Sequence, residues 1–194
     1  MTNGRTRLFF KQLLSSPSKT GAIVPSSRKL AQKMFELSDP GPDAVIAEYG
    51  PGTGSFTKVI TNALVSGQKF FCVEINAEFA AVIRRDHPGI GVHVGCASEI
   101  KSYCSKEGVD HIDRVISGLP WAVFPEALQH KILGGMTEVM PSGGVFVTFA
   151  YLQGLIMPSG RAFRRNLIKY FTTIEQSGIV WDNIPPAIVY RCVR

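Results

Sequence analysis

The chain has 194 residues, 45% of them hydrophobic, with 21 lysines and arginines against 15 acids and a formal net charge of +6. That length fits one domain with an ample core and excludes a disordered polyelectrolyte, while the longest apolar stretch, 143–157, is broken by Thr148, Gln153 and Gly154 and is too short to span a bilayer. Cys72, Cys96, Cys104 and Cys192 are irregularly spaced and His87, His93, His111 and His130 stand singly, so reduced core thiols are expected rather than disulfides or a metal site.

The first predicted element is a short amphipathic helix, Thr6 to Leu14, with Leu8, Phe9, Leu13 and Leu14 beside Arg5, Arg7 and Lys11. Such a helix suits an anionic membrane interface or a lid over a site. Basic residues crowd the first 33 positions, which hold no acid at all. Ser26 or Ser27 caps a second helix running to about Leu37, and Asp39-Pro40-Gly41-Pro42 ends it. Residues 1–38 therefore read as an N-terminal lid and membrane-contact segment, and 39–194 as an α/β domain.

From there strands and helices alternate: strand 44–49, helix 53–66, strand 69–75, helix 76–86, strand 91–95, helix 97–106, strand 112–117, helix 123–140 and strand 143–150. A helix near Ala162 to Phe171 follows. Strands Thr173 to Trp181 and Ala187 to Cys192, joined by Asn183-Ile184-Pro185-Pro186, close the chain as a hairpin. The pattern predicts a single-domain, Rossmann-like α/β fold, its seven-stranded sheet mostly parallel with the last strand antiparallel.

In a doubly wound sheet the ligand sits at the carboxyl ends of the strands. The first predicted strand runs into Glu48-Tyr49-Gly50-Pro51-Gly52-Thr53-Gly54. Glycines suit a sharp strand-to-helix turn whose backbone approaches a ligand. A dinucleotide fingerprint would put its last glycine at 55, which is Ser55, and the loop carries no lysine or arginine for a phosphate. Glu48 would repel a phosphate but would suit the amino group and sulfonium of S-adenosylmethionine. Glu74, 20 residues beyond Gly54, is placed to accept hydrogen bonds from both ribose hydroxyls. The third strand ends at Gly95-Cys96-Ala97-Ser98, where backbone amides, Ala97 among them, the Ser98 hydroxyl and apolar contact from Ile75 are candidates to hold the adenine.

The fourth strand ends in Ser117-Gly118-Leu119-Pro120-Trp121, the expected place for chemistry; an apolar turn around a core tryptophan is the other reading. Backbone carbonyls of Ser117, Gly118 and Leu119 would accept N–H bonds from an amine, and Trp121 would face its developing charge.

These residues resemble a class I S-adenosylmethionine-dependent methyltransferase. The stretch Ser18 to Arg28 (Ser-Lys-Thr-Gly-Ala-Ile-Val-Pro-Ser-Ser-Arg) and the ending Asn183 to Arg191 (Asn-Ile-Pro-Pro-Ala-Ile-Val-Tyr-Arg) are similar to the bacterial phospholipid N-methyltransferases, which carry phosphatidylethanolamine toward phosphatidylcholine, and to their relatives acting on ornithine lipids. Two departures stand out. Cys96 occupies a place where many class I enzymes carry an aspartate, and Ser117 to Trp121 replaces the Asn/Asp-Pro-Pro-aromatic motif of nucleic-acid and protein amine methyltransferases.

The resemblance implies S-adenosylmethionine as cofactor, a membrane lipid amine, first that of phosphatidylethanolamine, as substrate, and an anionic membrane surface rather than nucleic acid as partner, for a cytoplasmic monomer attached to the inner face of the membrane. Lys19, Tyr151, Arg164, Tyr190 and Arg191 are the candidates to clamp the lipid phosphate. The alternatives are an ornithine-lipid N-methyltransferase, a ribosomal RNA adenine methyltransferase sharing the core, and a binding module that retains the fold without turnover.

Overall fold

A computed structural model describes residues 26–194. The Thr6–Leu14 helix, Lys19 and most of the basic N-terminal cluster lie outside the described residues. The first described helix, α1 (Arg28–Ser38), starts where the Ser27 hydroxyl accepts a hydrogen bond from Leu30 N at 3.2 Å and stops at Asp39, which takes a left-handed φ of 44°. Its buried face, Leu30, Ala31 and Met34, packs with Ile46, Ile116 and Val147. Residues 28–38 thus belong to the core of the domain, although the sequence reading grouped them with the lid.

The strands are β1 (Ile46–Tyr49), β2 (Phe70–Glu74), β3 (Gly91–Val94), β4 (Arg114–Ser117), β5 (Val145–Tyr151), β6 (Thr173–Gln176) and β7 (Ala187–Val193). They form one sheet in the order β3-β2-β1-β4-β5-β7-β6. The first five are parallel, and β7 runs antiparallel to both β5 and β6. Chain order reverses between β1 and β4, so the switch point opens beside the end of β1.

β1 and β2 are buried on both faces, as central strands of a covered parallel sheet must be. One face, through Ala47, Tyr49, Phe71, Val73 and Val115, meets α4 (Ile100–Glu107), α5 (Glu126–Val139) and a C-terminal helix. The other face, through Ile46, Cys72 and Ile116, meets α1, α2 (Ser55–Ala63) and α3 (Ala77–Asp86).

Local differences from the sequence reading have local causes. The glycine turn continues through Gly54, so α2 begins at Ser55 rather than 53. Pro125 delays α5 to Glu126, after a 3-10 turn at Trp121–Val123. The apolar residues after β5 form a short helix, α6 (Leu152–Ile156), and Pro158 at the first turn starts α7 (Pro158–Tyr170), four residues before the predicted start at Ala162. Ser177-Gly178 ends β6 early, leaving only a Val180–Ala187 bridge of the long strand predicted to Trp181. Among the described residues no helix is long and apolar enough to cross a membrane.

Candidate active site

Two strand-end loops cross at the switch point at backbone contact distance. Gly50, after β1, has φ +68°, and a Cβ there would lie 2.8 Å from Leu119 Cδ2. A Cβ on Gly118, after β4, would lie 2.7 Å from the Gly50 carbonyl oxygen. Only residues without side chains let these loops approach so closely. The Gly118 N–H donates to Tyr49 O at 2.8 Å, extending the β1–β4 ladder by one bond. The next donor in that ladder would be the N–H of residue 51, and Pro51 has none. Among the described residues no donor reaches the Gly118 carbonyl.

The Glu74 carboxylate ties the first loop to the second strand. It accepts from Gly52 N at 3.0 Å and from Asn76 N at 2.8 Å. Burial raises its pKa, and these amide bonds pull it back toward ionisation. Beside it opens a small cavity lined by Gly50, Val73, Glu74, Ile75, Gly95, Cys96, Ala97, Leu119 and Ile132.

Of the residues proposed for a cofactor, Gly50, Glu74, Ile75 and Ala97 line this cavity. Gly52 acts through its bond to Glu74, Thr53 is exposed on the turn, and Gly54 caps α2. Ser98 donates its hydroxyl to the Cys96 sulfur at 3.2 Å, behind the lining. Glu48 requires a correction. It is fully buried beneath the loop and does not line the cavity; its carboxylate accepts from Thr57 Oγ1 at 2.7 Å and Cys72 Sγ at 3.4 Å. The cause is strand alternation, which sends position 48 toward the α2 face while Ala47 and Tyr49 face the other layer. Burial pushes Glu48 up to about 7 against the lowering effect of those two hydrogen bonds.

The segment after β4 is also redistributed. Ser117 is buried, its hydroxyl accepting from Leu119 N and from Trp121 Nε1 at 3.3 and 3.2 Å and its carbonyl accepting from Thr148 Oγ1 at 3.1 Å. The Leu119 carbonyl accepts from Trp121 N at 3.0 Å. Of the three proposed acceptor carbonyls, only Gly118 stays open. Trp121 is a core residue, 2% exposed, stacked on Phe163 at 4.6 Å and edge-on to Phe124 and Phe146. It has no face left for a substrate cation, and the apolar-turn reading of this segment holds for it.

Among the described residues the phosphate candidates lie on three elements, β5, α7 and β7, with Arg164 near enough to Tyr190 to act on it electrostatically. Tyr190 is a core residue, 1% exposed and edge-on to Phe163. Arg191 donates to Leu37 O and to Glu175 Oε2, both at 3.0 Å, and so fastens α1 and β6 to β7. Tyr151 is half-buried against Phe149. Arg164 is exposed on α7, and Lys19 lies outside the described residues.

Gly95 and Cys96 line the cavity within the segment expected to hold the adenine, whereas Val73 and Ile132 were not expected as cavity wall. Val73 adjoins a strand end that the pattern located, so its place was within reach. Ile132 comes from the middle of α5, where no local signal separates a cavity wall from a core contact. Among the described residues no group of His, Cys, Asp and Glu side chains is arranged to hold a metal ion.

No family model matches the sequence. Over 188 residues the chain is 25% identical to an ornithine lipid N-methyltransferase from Singulisphaera acidiphila, covering 95% of this chain and 94% of that protein. Over 107 residues it is 27% identical to ribosomal RNA small subunit methyltransferase A from Chlorobium phaeobacteroides, covering 54% of this chain but 37% of that protein. Among solved structures, an O-methyltransferase from Bacillus cereus in complex with SAH matches with a TM-score of 0.67 and 14% identity, over 100% of this chain and 93% of that one. The chain has the single-domain α/β fold of the class I S-adenosylmethionine-dependent methyltransferases.

The residues at the switch point fit the cofactor that gives this class its name. The Glu74 carboxylate at the end of β2 would accept from the ribose hydroxyls, Ile75, Leu119 and Ile132 would wall the ligand, and backbone at Gly95 to Ala97 would meet a purine edge. The turn itself brings backbone rather than cationic side chains to the ligand.

Proposed function

We propose that this protein transfers a methyl group from S-adenosylmethionine to the primary amine of a membrane lipid. The observation that carries the reading is the end-to-end match to an ornithine lipid N-methyltransferase, which spans 95% of this chain and nearly all of that one. Ornithine lipid and phosphatidylethanolamine both present a primary amine. The likeness in hand favours the first, and the sequence resemblance to phospholipid N-methyltransferases keeps the second as an arm of the test.

When bound, the cofactor supplies a methyl carbon activated by the sulfonium. The rest of the task is positioning and desolvation, which the chain's own residues serve. An alkylammonium ionises near 10.4, as lysine does, so the amine must bind in its neutral form to offer a lone pair. The open Gly118 carbonyl is an acceptor that can orient one amine N–H, left available by Pro51. Leu119, the next residue, and Ile132 add apolar wall to the cavity. After transfer the ammonium product sheds its proton to solvent, so no buried base is needed.

RNA methylation is the second reading, favoured only by the partial match to the ribosomal RNA enzyme. Against it, the aromatic side chain nearest the open carbonyl in sequence, Trp121, is buried and unavailable to stack on a flipped base. Labelled S-adenosylmethionine incubated with ornithine lipid, phosphatidylethanolamine, RNA and no acceptor tests both. Label in either lipid supports the proposal, and label in RNA alone or in nothing overturns it.

A further inference from the structure

Seven large apolar side chains are exposed among the described residues, and five of them, Ile156, Met157, Ile179, Trp181 and Ile184, come from two neighbouring segments. Both segments lie at the carboxyl edge of the sheet, the edge that holds the cavity. α6 follows directly from the end of β5, and the 177–186 loop enters β7 at Ala187, which pairs with Tyr151 at that same end. Leu152 N donates to Pro186 O at 3.0 Å, joining the two.

The loop is anchored, so the exposure is built in. Val180 and Ala187 exchange backbone hydrogen bonds at 2.7 and 3.4 Å. Asn183 is buried, accepts from Ser27 N at 2.8 Å and donates to Pro185 O at 2.7 Å. Holding Asn183 inward turns its neighbours out, leaving Trp181 68% and Ile184 78% exposed. Arg28 and Lys29, exposed at the start of α1, adjoin the loop through the Ser27–Asn183 bond, and the acid on the loop, Asp182, is met by Lys29 at 2.9 Å, while Arg161 is exposed on α7 one turn after Met157.

An anchored apolar tip with an indole and two basic residues beside it, on a chain of net charge +6, matches the interfacial layer of an anionic bilayer. We propose that the 179–184 tip, together with Ile156 and Met157, inserts into an anionic membrane surface and sets the cavity mouth against the lipid headgroups. This rests on the lipid-amine reading and assigns the surface by which the enzyme would reach that substrate.

The test separates docking from chemistry. Vesicles of phosphatidylcholine and phosphatidylglycerol contain no primary amine, so their co-sedimentation with the protein reports docking alone. Wild type is expected to bind them, and Trp181→Ser/Ile184→Ser to bind roughly tenfold or more weakly. Methylation of a short-chain, water-soluble phosphatidylethanolamine or ornithine lipid is expected to be the same in both proteins. In wild type, vesicles of brominated phosphatidylcholine with phosphatidylglycerol should quench the Trp181 emission, isolated by subtracting Trp181→Phe; Trp121, in the core, should stay unquenched.

Equal vesicle binding by wild type and the double variant, or no quenching of Trp181, overturns the proposal. So does a concentration-dependent dimer that the double variant abolishes, which would make the tip a contact between copies. Selective loss of vesicle binding in a protein whose wild type methylates neither short-chain lipid would retain the docking surface and reject the lipid-amine function.

Discussion

Glu48→Gln tests the account of the loop most sharply, because it separates a buried structural carboxyl from a ligand-facing one. In the folded protein burial holds Glu48 at about 7, against an ordinary value of 4.5. Between those two values the folded chain keeps a proton that the unfolded chain has released, so stability falls as pH rises from about 4.5 to about 7 and then levels off. The interval of about 2.5 pH units, at 1.36 kcal/mol each, sets a ceiling of about 3 kcal/mol on that loss. Glutamine keeps an acceptor for Thr57 Oγ1 and cannot ionise. Urea unfolding of both proteins from about pH 5 to about pH 8 should show the variant gaining on wild type by roughly 1–3 kcal/mol across that range. Glu74 is common to both proteins, and the raised tyrosine and cysteine groups, Cys72 beside Glu48 included, stay protonated across this range. Cofactor affinity should stay within about threefold, since the carboxylate does not line the cavity. Parallel stability profiles would refute the buried-carboxyl reasoning, and a large loss of cofactor affinity would restore Glu48 to the ligand.

Three further substitutions probe the crossing of the loops. Pro51→Ala restores the ladder N–H that can occupy the Gly118 carbonyl, and it should lower kcat/KM for the amine by roughly tenfold, the worth of one hydrogen bond, while S-adenosylhomocysteine affinity by calorimetry stays within about twofold; unchanged kinetics would remove Gly118 from amine binding. Gly118→Ala puts a Cβ 2.7 Å from a backbone oxygen, which has no flexible end to yield, so it should cost about 1–3 kcal/mol in chemical denaturation and weaken the cofactor as the Gly50 turn shifts. Trp121→Ala should cost about 3–5 kcal/mol of stability, as an emptied aromatic core site does; a stable variant with only slowed methylation would return Trp121 to the substrate.

The β1 turn and Glu74 were legible because their signals are local: glycines where the chain must turn and cross, and an acid at the end of the next apolar run. The mostly parallel, doubly wound sheet followed from the alternation of elements. What escaped the sequence depends on distant partners. Trp121 looks available in its own segment, but the ring that covers it, Phe163, sits on α7. Arg191 looks like a surface cation until Leu37 and Glu175 claim it from elements far earlier and slightly earlier in the chain. Glu48 was misplaced because the start of the strand is easier to read than its register, and one position decides which face a side chain takes. Trp181 goes the other way: its type predicts burial, yet the hydrogen bonds of Asn183 hold it out.

The central claim is that the cavity at the switch point serves methyl transfer to a lipid amine. Mass analysis of lipids from cells expressing the protein, beside cells expressing Pro51→Ala, tests it most directly. The account predicts ornithine lipid or phosphatidylethanolamine heavier by one or more methyl groups with wild type, and markedly less of it with the variant. Unchanged amine lipids in cells that contain folded, S-adenosylmethionine-binding protein would contradict it.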